Sequence, residues 1–188
     1  MQEYKIDALI IPSSDPHQSE YVCEHWKVRE YFSGFSGSSG TLVVLKDYAG
    51  LWTDSRYFIQ ADMKLKGSGV VLHKQEIPHA PEHVKWMSEK LEKGSRIGIE
   101  GLLFSVDQQM YLSDHFEKKA HELVNVDGMI SELWTDRPLK PETLVYELGV
   151  NFTGKDRMQK LQEVRAQMKI ENVDYYLISA LDEIAWLL

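Results

Sequence analysis

Three stretches of the 188-residue chain carry residue types that could do chemistry. The first is Trp52-Thr53-Asp54-Ser55-Arg56-Tyr57-Phe58, where a carboxylate and a guanidinium two positions apart meet at a strand-to-helix junction. Rigid scaffolds present working surfaces at such junctions. Asp54 is a good helix N-cap, which already gives its carboxylate a structural task. Arg56 has no such task. The helix macrodipole opposes a cation at a helix start, so Arg56 is expected to meet a carboxylate or carbonyl partner elsewhere. An ordinary surface arginine is the bland alternative.

The second stretch is Ser33-Gly34-Phe35-Ser36-Gly37-Ser38-Ser39-Gly40-Thr41. A phosphate loop needs Lys-Ser or Lys-Thr after its last glycine, and Thr41-Leu42 stands there instead. A nucleophile elbow needs a serine with glycine two positions away on both sides, a frame none of these serines has. The preferred reading is a tight connection, with glycines that tolerate left-handed backbone and serines that bond the main chain. The third stretch holds His79 and His83, four apart, as a zinc site on one helix face would want. Pro81 between them is expected to start the helix and leave His79 outside it. No carboxylate motif completes the set, and two ligands alone seldom make a site.

Composition narrows the partners. A formal net charge of −8, spread through the chain, repels phosphate backbones and argues against nucleic acid. Cys23 is the single cysteine, which excludes an internal disulfide or a cysteine-based zinc finger and suits a reducing compartment. The opening MQEYKIDALIIP holds an apolar run of only about five residues, far short of a secretory core or a membrane span. A cytoplasmic protein with no membrane partner is expected.

The elements that must position these residues read as an α/β layering. Strands at residues 6–11, 41–46, 51–53, 69–73, 96–99 and 123–126 alternate with helical stretches. Gly34 is expected to break a partly helical 18–32, and residues 47–50 to form a hairpin reversal. Asp54 opens a helix with Tyr57, Phe58, Ala61 and Leu65 on its apolar face. Pro81 takes the first position of a helix carrying Val84, Met87 and Leu91 and ended by Gly94. Ser105 and Gln108 form a capping box for a helix through Phe116. This first domain covers residues 1–134, and the charged, proline-interrupted 135–152 reads as a linker.

After the linker, Thr153-x-x-Asp156 is expected to cap a helix with Met158, Leu161, Val164 and Met168 along one face. Asn172-Val-Asp-Tyr-Tyr-Leu-Ile-Ser-Ala then repeats the pattern of Lys5-Ile-Asp-Ala-Leu-Ile-Ile-Pro-Ser. A second domain of the same design is expected over 153–188. At roughly 35 residues it is shorter than the smallest self-sufficient domains, so the chain reads as the front part of a longer protein.

Taken together, Pro16-His17-Gln18-Ser19-Glu20-Tyr21, Ser33-Gly34-Phe35-x-Gly37-Ser38-x-Gly40-Thr41 and Trp52-Thr53-Asp54-x-Arg56-Tyr57-Phe58 closely resemble the amino-terminal domain of the three-domain aminopeptidases P. These are the Xaa-Pro aminopeptidases of the creatinase/prolidase family. Further pieces agree in order: Gly94-Ser95-Arg96-Ile97-Gly98, Trp134-Thr135-Asp136-Arg137-Pro138, Thr153-Gly154 and residues 179–187.

The resemblance implies a layered domain, a mixed sheet with flanking helices, followed by the start of a similar second one. It also implies a carboxy-terminal catalytic domain with two divalent metal ions, usually manganese. Their bridging water attacks the bond between a first residue and a proline in position two. No ligand-bearing segment of that domain occurs in this chain. The resemblance therefore implies no catalytic residue, metal ligand or cofactor here, and an inert fragment that shapes and restricts substrate access. The parent is expected to be a homodimer and the fragment a monomer. The Arg of the WTD-x-RYF motif contacts the bound peptide in the family, a role that falls on Arg56; His17 and Tyr21 match a family motif as structural or lining residues. A histone-chaperone-like relative that keeps the fold without activity, or a prolidase or creatinase, is the alternative. The three motifs favour aminopeptidase P.

Overall fold

The computed structural model describes residues 1–77 and 80–188. They divide into two compact units, Met1–Lys140 and Pro141–Leu188. In the first, the apolar run after Asp7 becomes strand β1 (Ala8–Ile11), buried along its whole length. A strand apolar on both sides needs cover on both faces, and the chain supplies it.

After a 3-10 turn at Glu24–Trp26, helix α1 (Val28–Ser33) leads to β2 (Thr41–Leu45) and β3 (Tyr48–Thr53). Next come α2 (Phe58–Leu65), β4 (Val70–Lys74), α3 (Glu82–Lys90) and β5 (Arg96–Ile99). The unit closes with α4 (Val106–Glu117), β6 (Glu122–Asn125) and α5 (Met129–Leu133). The six strands form one sheet in the order β4-β3-β2-β1-β5-β6. β2 is antiparallel to both of its neighbours, whereas β1–β5, β5–β6 and β3–β4 pair parallel. The sheet is therefore mixed, with five strands sharing one direction.

Alternation along the strands sorts side chains to two cores. Leu9, Ile11, Leu42 and Leu51 face one core with Val28, Phe35, Ala61 and Ile130. Ala8, Ile10, Val43, Ile97 and Ile99 face the other with Val84, Met87, Leu112 and Phe116 from α3 and α4.

Several boundaries differ from the sequence reading. The hairpin reversal is only Lys46–Asp47, since β3 begins at Tyr48 opposite Leu45. Tyr48 stays in the strand because its ring stacks on Trp86 at 5.0 Å and its hydroxyl meets His73 Nε2. Gly50 makes room for this cluster rather than a turn: a Cβ there would lie 2.8 Å from the Trp52 ring and 2.9 Å from that of Tyr48. Pro81 precedes α3 instead of opening it, and α3 stops at Lys90, before Gly94, where Leu91 turns extended. α5 lies in a stretch with no helical period long enough to read. The capping box at Ser105 and Gln108 forms as expected, with both reciprocal bonds.

The second unit contains α6 (Val150–Thr153), α7 (Arg157–Ile170) and α8 (Leu181–Leu187). Its long helix is capped by Asp156, not Thr153. Asp156 Oδ1 accepts from the Gln159 main chain at 2.8 Å, and the Gln159 side chain reaches back. Thr153 instead ends α6 and donates to the Lys155 carbonyl at 2.9 Å. Residues 174–180 form no strand. A strand stands only where a neighbour takes up its main-chain groups, and this unit has no other strand among its described residues.

Phe116 is fully buried between α4 and the sheet. Phe116→Ala is expected to cost about 3–5 kcal/mol, whereas Val106→Ala on the exposed side of the same helix should cost under about 0.5 kcal/mol. Urea unfolding of both variants checks the helix orientation. Comparable losses would contradict it.

Candidate functional site

The five co-directional strands end on one rim, and β2 starts there. β1 sits between β2 and β5, and the chain leaves toward opposite faces of the sheet on its two sides. In open α/β sheets a crevice forms outside the carboxyl ends at such a point. Here it is a cleft of about 830 Å³, with Pro12, Ser13 and Ser14 beyond β1, Gly40 before β2 and Thr41 at its start, and Arg56 beyond β3. Gln75 beyond β4, His83 at the start of α3, and Asp107, Gln108 and Tyr111 in the first half of α4 also line it.

The glycine-rich turn forms one wall. α1 ends at Gly34, which takes the left-handed conformation at φ +70°. Gly37 and Gly40 do not take positive φ. They serve close approach: a Cβ on Gly37 would stand 2.8 Å from the Tyr57 ring, and one on Gly40 3.0 Å from the Trp52 carbonyl. Beneath the turn, the buried Arg29 donates Nη1 to the Phe35 carbonyl at 3.0 Å and Nη2 to that of Gly37. Its guanidinium also lies 4.8 Å from the Phe35 ring centroid. Burial pulls Arg29 down to about 10, which still leaves it charged at neutral pH. Sequence reasoning missed this residue because Val28-Arg29-Glu30 reads as an exposed helical stretch. The turn is tied outward as well: Ser13 donates to the Gly40 carbonyl at 2.6 Å, Thr53 to that of Ser39 at 2.7 Å, and the Ser38 and Tyr57 hydroxyls bond at 2.7 Å.

At the β3–α2 junction the partner expected for Arg56 is Asp54 itself, not a remote group. Asp54 caps a 3-10 turn at Ser55–Tyr57 that runs into α2. Its Oδ1 accepts from Arg56 N at 3.1 Å and Nε at 2.9 Å, and its Oδ2 from Nη2 at 2.8 Å. This is a bidentate fork between a buried carboxylate and a guanidinium whose side chain is 60% exposed. The Arg56 bond is the main reason the Asp54 carboxyl sits well below the usual carboxylate range, and the same pairing raises Arg56. A guanidinium carries five N–H groups. Asp54 occupies those of Nε and one edge of Nη2, and the rest can donate to a ligand.

The loop after β1 is pinned as firmly. Asp15 accepts from the main-chain N–H of His17 at 2.9 Å and of Ser19 at 3.0 Å. Ser14 donates to the Leu103 carbonyl at 2.6 Å, and the Gln18 amide to the same oxygen at 3.1 Å. Gln18, Ser19 and Glu20 of this loop line the cleft. His17 and Tyr21 are exposed, Tyr21 to 87%, and neither is among the lining residues.

His83 lies in the cleft wall with 8% of its surface exposed, whereas His79 lies outside the described residues. Burial lowers His83 to about 4, so its imidazole is neutral at pH 7. Among the described residues no group of three or more His, Cys, Asp or Glu is placed to hold a metal ion, and the donor set does not fit a dinuclear centre. Nor is any helix among them long and apolar enough to cross a membrane.

Residues 1–133 match the Creatinase/Prolidase N-terminal domain family, and residues 136–188 match a second family of the same description. The chain is 43% identical over 187 residues to Aminopeptidase P2 of Arabidopsis thaliana, covering 97% of this chain and 26% of that protein. It is similar to the crystal structure of X-prolyl aminopeptidase from Caenorhabditis elegans, described as a cytosolic enzyme with a di-nuclear active site. That likeness has a TM-score of 0.82 at 34% identity, over 97% of this chain and 30% of the other. The N-terminal domain of cytoplasmic peptidase PepQ from Mycobacterium tuberculosis H37Rv gives 0.53 at 28%, over 68% of this chain and 87% of that one. The chain spans less than a third of the length of the two aminopeptidases it matches.

The Asp54–Arg56 fork has an acid signature. The folded pKa of Asp54 lies below its unfolded value of about 3.9. Its stabilisation is therefore complete above that value and is lost as pH falls through the lowered folded one. Asp54→Asn keeps a capping oxygen but not the charge. It is expected to lose about 1–3 kcal/mol at pH 7 and to show a shallower decline in stability below about pH 4. Urea midpoints measured across pH check this; parallel acid declines in the two proteins would contradict the pairing.

Proposed function

The chain belongs to the creatinase/prolidase N-terminal domain family, and on that premise we propose that it is the substrate-facing amino-terminal part of an Xaa-Pro aminopeptidase. The whole enzyme would remove the first residue from peptides with proline in position two. The observation that carries this reading is the Arg56 fork, oriented by a buried carboxylate and presented at the mouth of a polar cleft. A peptide carbonyl or carboxylate downstream of the proline suits its remaining donors.

Hydrolysis would take place outside these residues. The two divalent ions, manganese by family resemblance, would be held by a catalytic domain, and no step of bond cleavage passes through this chain. Its contribution is binding and restriction of access. Because the loop after β1 and the glycine-rich turn are both tied down by buried hydrogen bonds, the cleft is pre-formed, which limits the ordering entropy a peptide must overcome. His17 and Tyr21, exposed on the β1 loop, are proposed only as outer contacts for a longer peptide. A cytoplasmic setting, a homodimeric parent and a monomeric isolated chain complete the proposal.

In the enzyme that contains this chain, Arg56→Ala is expected to raise KM for peptides extending beyond the proline by about tenfold, close to 1.4 kcal/mol. The effect on Xaa-Pro dipeptides, which are too short to reach Arg56, should be small. Kinetics on a length series of peptides with manganese check this, with EDTA as the control. The isolated 188-residue chain is expected to show no turnover. Identical KM values at every length, or activity in the isolated chain, would overturn the reading.

A further inference from the structure

Several polar side chains on the cleft wall are already committed inside the protein. Ser13 and Ser14 direct their hydroxyl protons to the carbonyls of Gly40 and Leu103. Gln75 donates to the Ala80 carbonyl at 2.8 Å, and Gln108 closes the capping box of α4. Among the wall groups that keep capacity for a ligand, two are held by their surroundings: the Arg56 guanidinium in its Asp54 fork and the His83 imidazole beside an aromatic cluster.

His83 is held in a rigid setting. Its ring packs beside that of Trp52, with centroids 6.2 Å apart. Trp52 in turn stacks on His73 at 3.9 Å and meets Trp86 edge-on at 5.1 Å. Nδ1 of His83 is buried and has no hydrogen-bond partner among the described residues. Buried polar atoms are nearly always paired, so an orphan in a cleft wall calls for an explanation. A histidine kept purely for packing could be replaced by an apolar ring without that penalty. The neutral ring also avoids like-charge repulsion with Arg56, and it offers one donor and one acceptor in place of a second cation.

We propose that His83 is a second peptide-contacting residue of the cleft, meeting the ligand main chain through the nitrogen opposite its buried Nδ1 while Arg56 holds an oxygen elsewhere along the peptide. This rests on the peptide-binding reading of the cleft. An extended peptide alternates carbonyl oxygens and N–H groups. Arg56 takes an oxygen, and the imidazole serves either group according to its tautomer. The Ser13 and Ser14 oxygens, their protons already directed inward, present lone pairs suited to N–H groups. Among the described residues Arg56 is the one lysine or arginine lining the cleft, with the carboxylates of Glu20 and Asp107 beside it. That balance does not suit a polyanion, and it favours a ligand read by its main chain with wide tolerance of side chains.

The test is an NMR titration of the whole chain, labelled with 15N in its histidine rings and main chain, using the peptide Ala-Pro-Ala-Ala. The His83 ring nitrogens are expected to shift saturably with the same midpoint as the Arg56 amide. His83→Phe should weaken binding about tenfold, and His83→Gln should recover most of that loss. The wild-type titration needs no variant, so it decides the matter even if His83→Phe folds poorly. If Arg56 responds while the His83 ring stays still and His83→Phe binds as the wild type does, the His83 inference is wrong and the cleft reading stands. If neither residue responds, the peptide-binding reading fails and the His83 inference fails with it.

Discussion

The guanidinium of Arg29 is the group on which the cleft depends. It is buried without a carboxylate partner and is offset by the Phe35 and Gly37 carbonyls and the face of the Phe35 ring. A buried charge persists only where such groups replace its water. In doing so Arg29 fixes the path of the glycine-rich turn, and the turn fixes what touches it. The Ser39 carbonyl receives Thr53, the Ser38 hydroxyl receives Tyr57, and the Gly40 carbonyl receives Ser13. Asp54 follows Thr53 directly, and Arg56 precedes Tyr57. The orientation of the Asp54–Arg56 fork thus traces back to a charge that is buried.

The sheet supplies the second constraint. With β2 alone reversed among six strands, one rim gathers the carboxyl ends of the other five beside the start of β2. Cores on both faces hold that rim steady. The chain leaving the rim beyond α5 is also anchored. Arg137 lies over Trp26 and Trp134 at 4.9 and 5.7 Å from their ring centroids, and its Nε donates to the His25 carbonyl at 2.7 Å. Rigidity here is a property of hydrogen bonds already made.

The layered α/β plan was legible in the sequence because its strands are short apolar runs punctuated by Gly, Pro and capping residues. β5 and the Ser105 capping box were readable almost residue by residue. The site was legible only in part. Asp54 and Arg56 stand out by type and spacing, yet their pairing with each other depends on the turn geometry between them. Arg29 hides in a charged stretch because a sequence does not show that its head group is enclosed by a turn still to come. The role of Gly37 and Gly40 in close packing is likewise set by rings at Tyr57 and Trp52, distant in the chain. His83 drew notice as half of a metal pair, whereas its position in the cleft follows from where α3 crosses the rim. The strand-like 174–180 shows the limit from the other side: a pattern is not a strand until something pairs with it.

The most direct measurement of the central claim is a crystal structure of the proposed full-length aminopeptidase with a proline-containing peptide that extends several residues past the proline. The account predicts a peptide oxygen within about 3.2 Å of a free Arg56 N–H, with the Asp54 fork intact. A bound peptide that leaves Arg56 in solvent, or breaks the fork to reach it, would contradict the account.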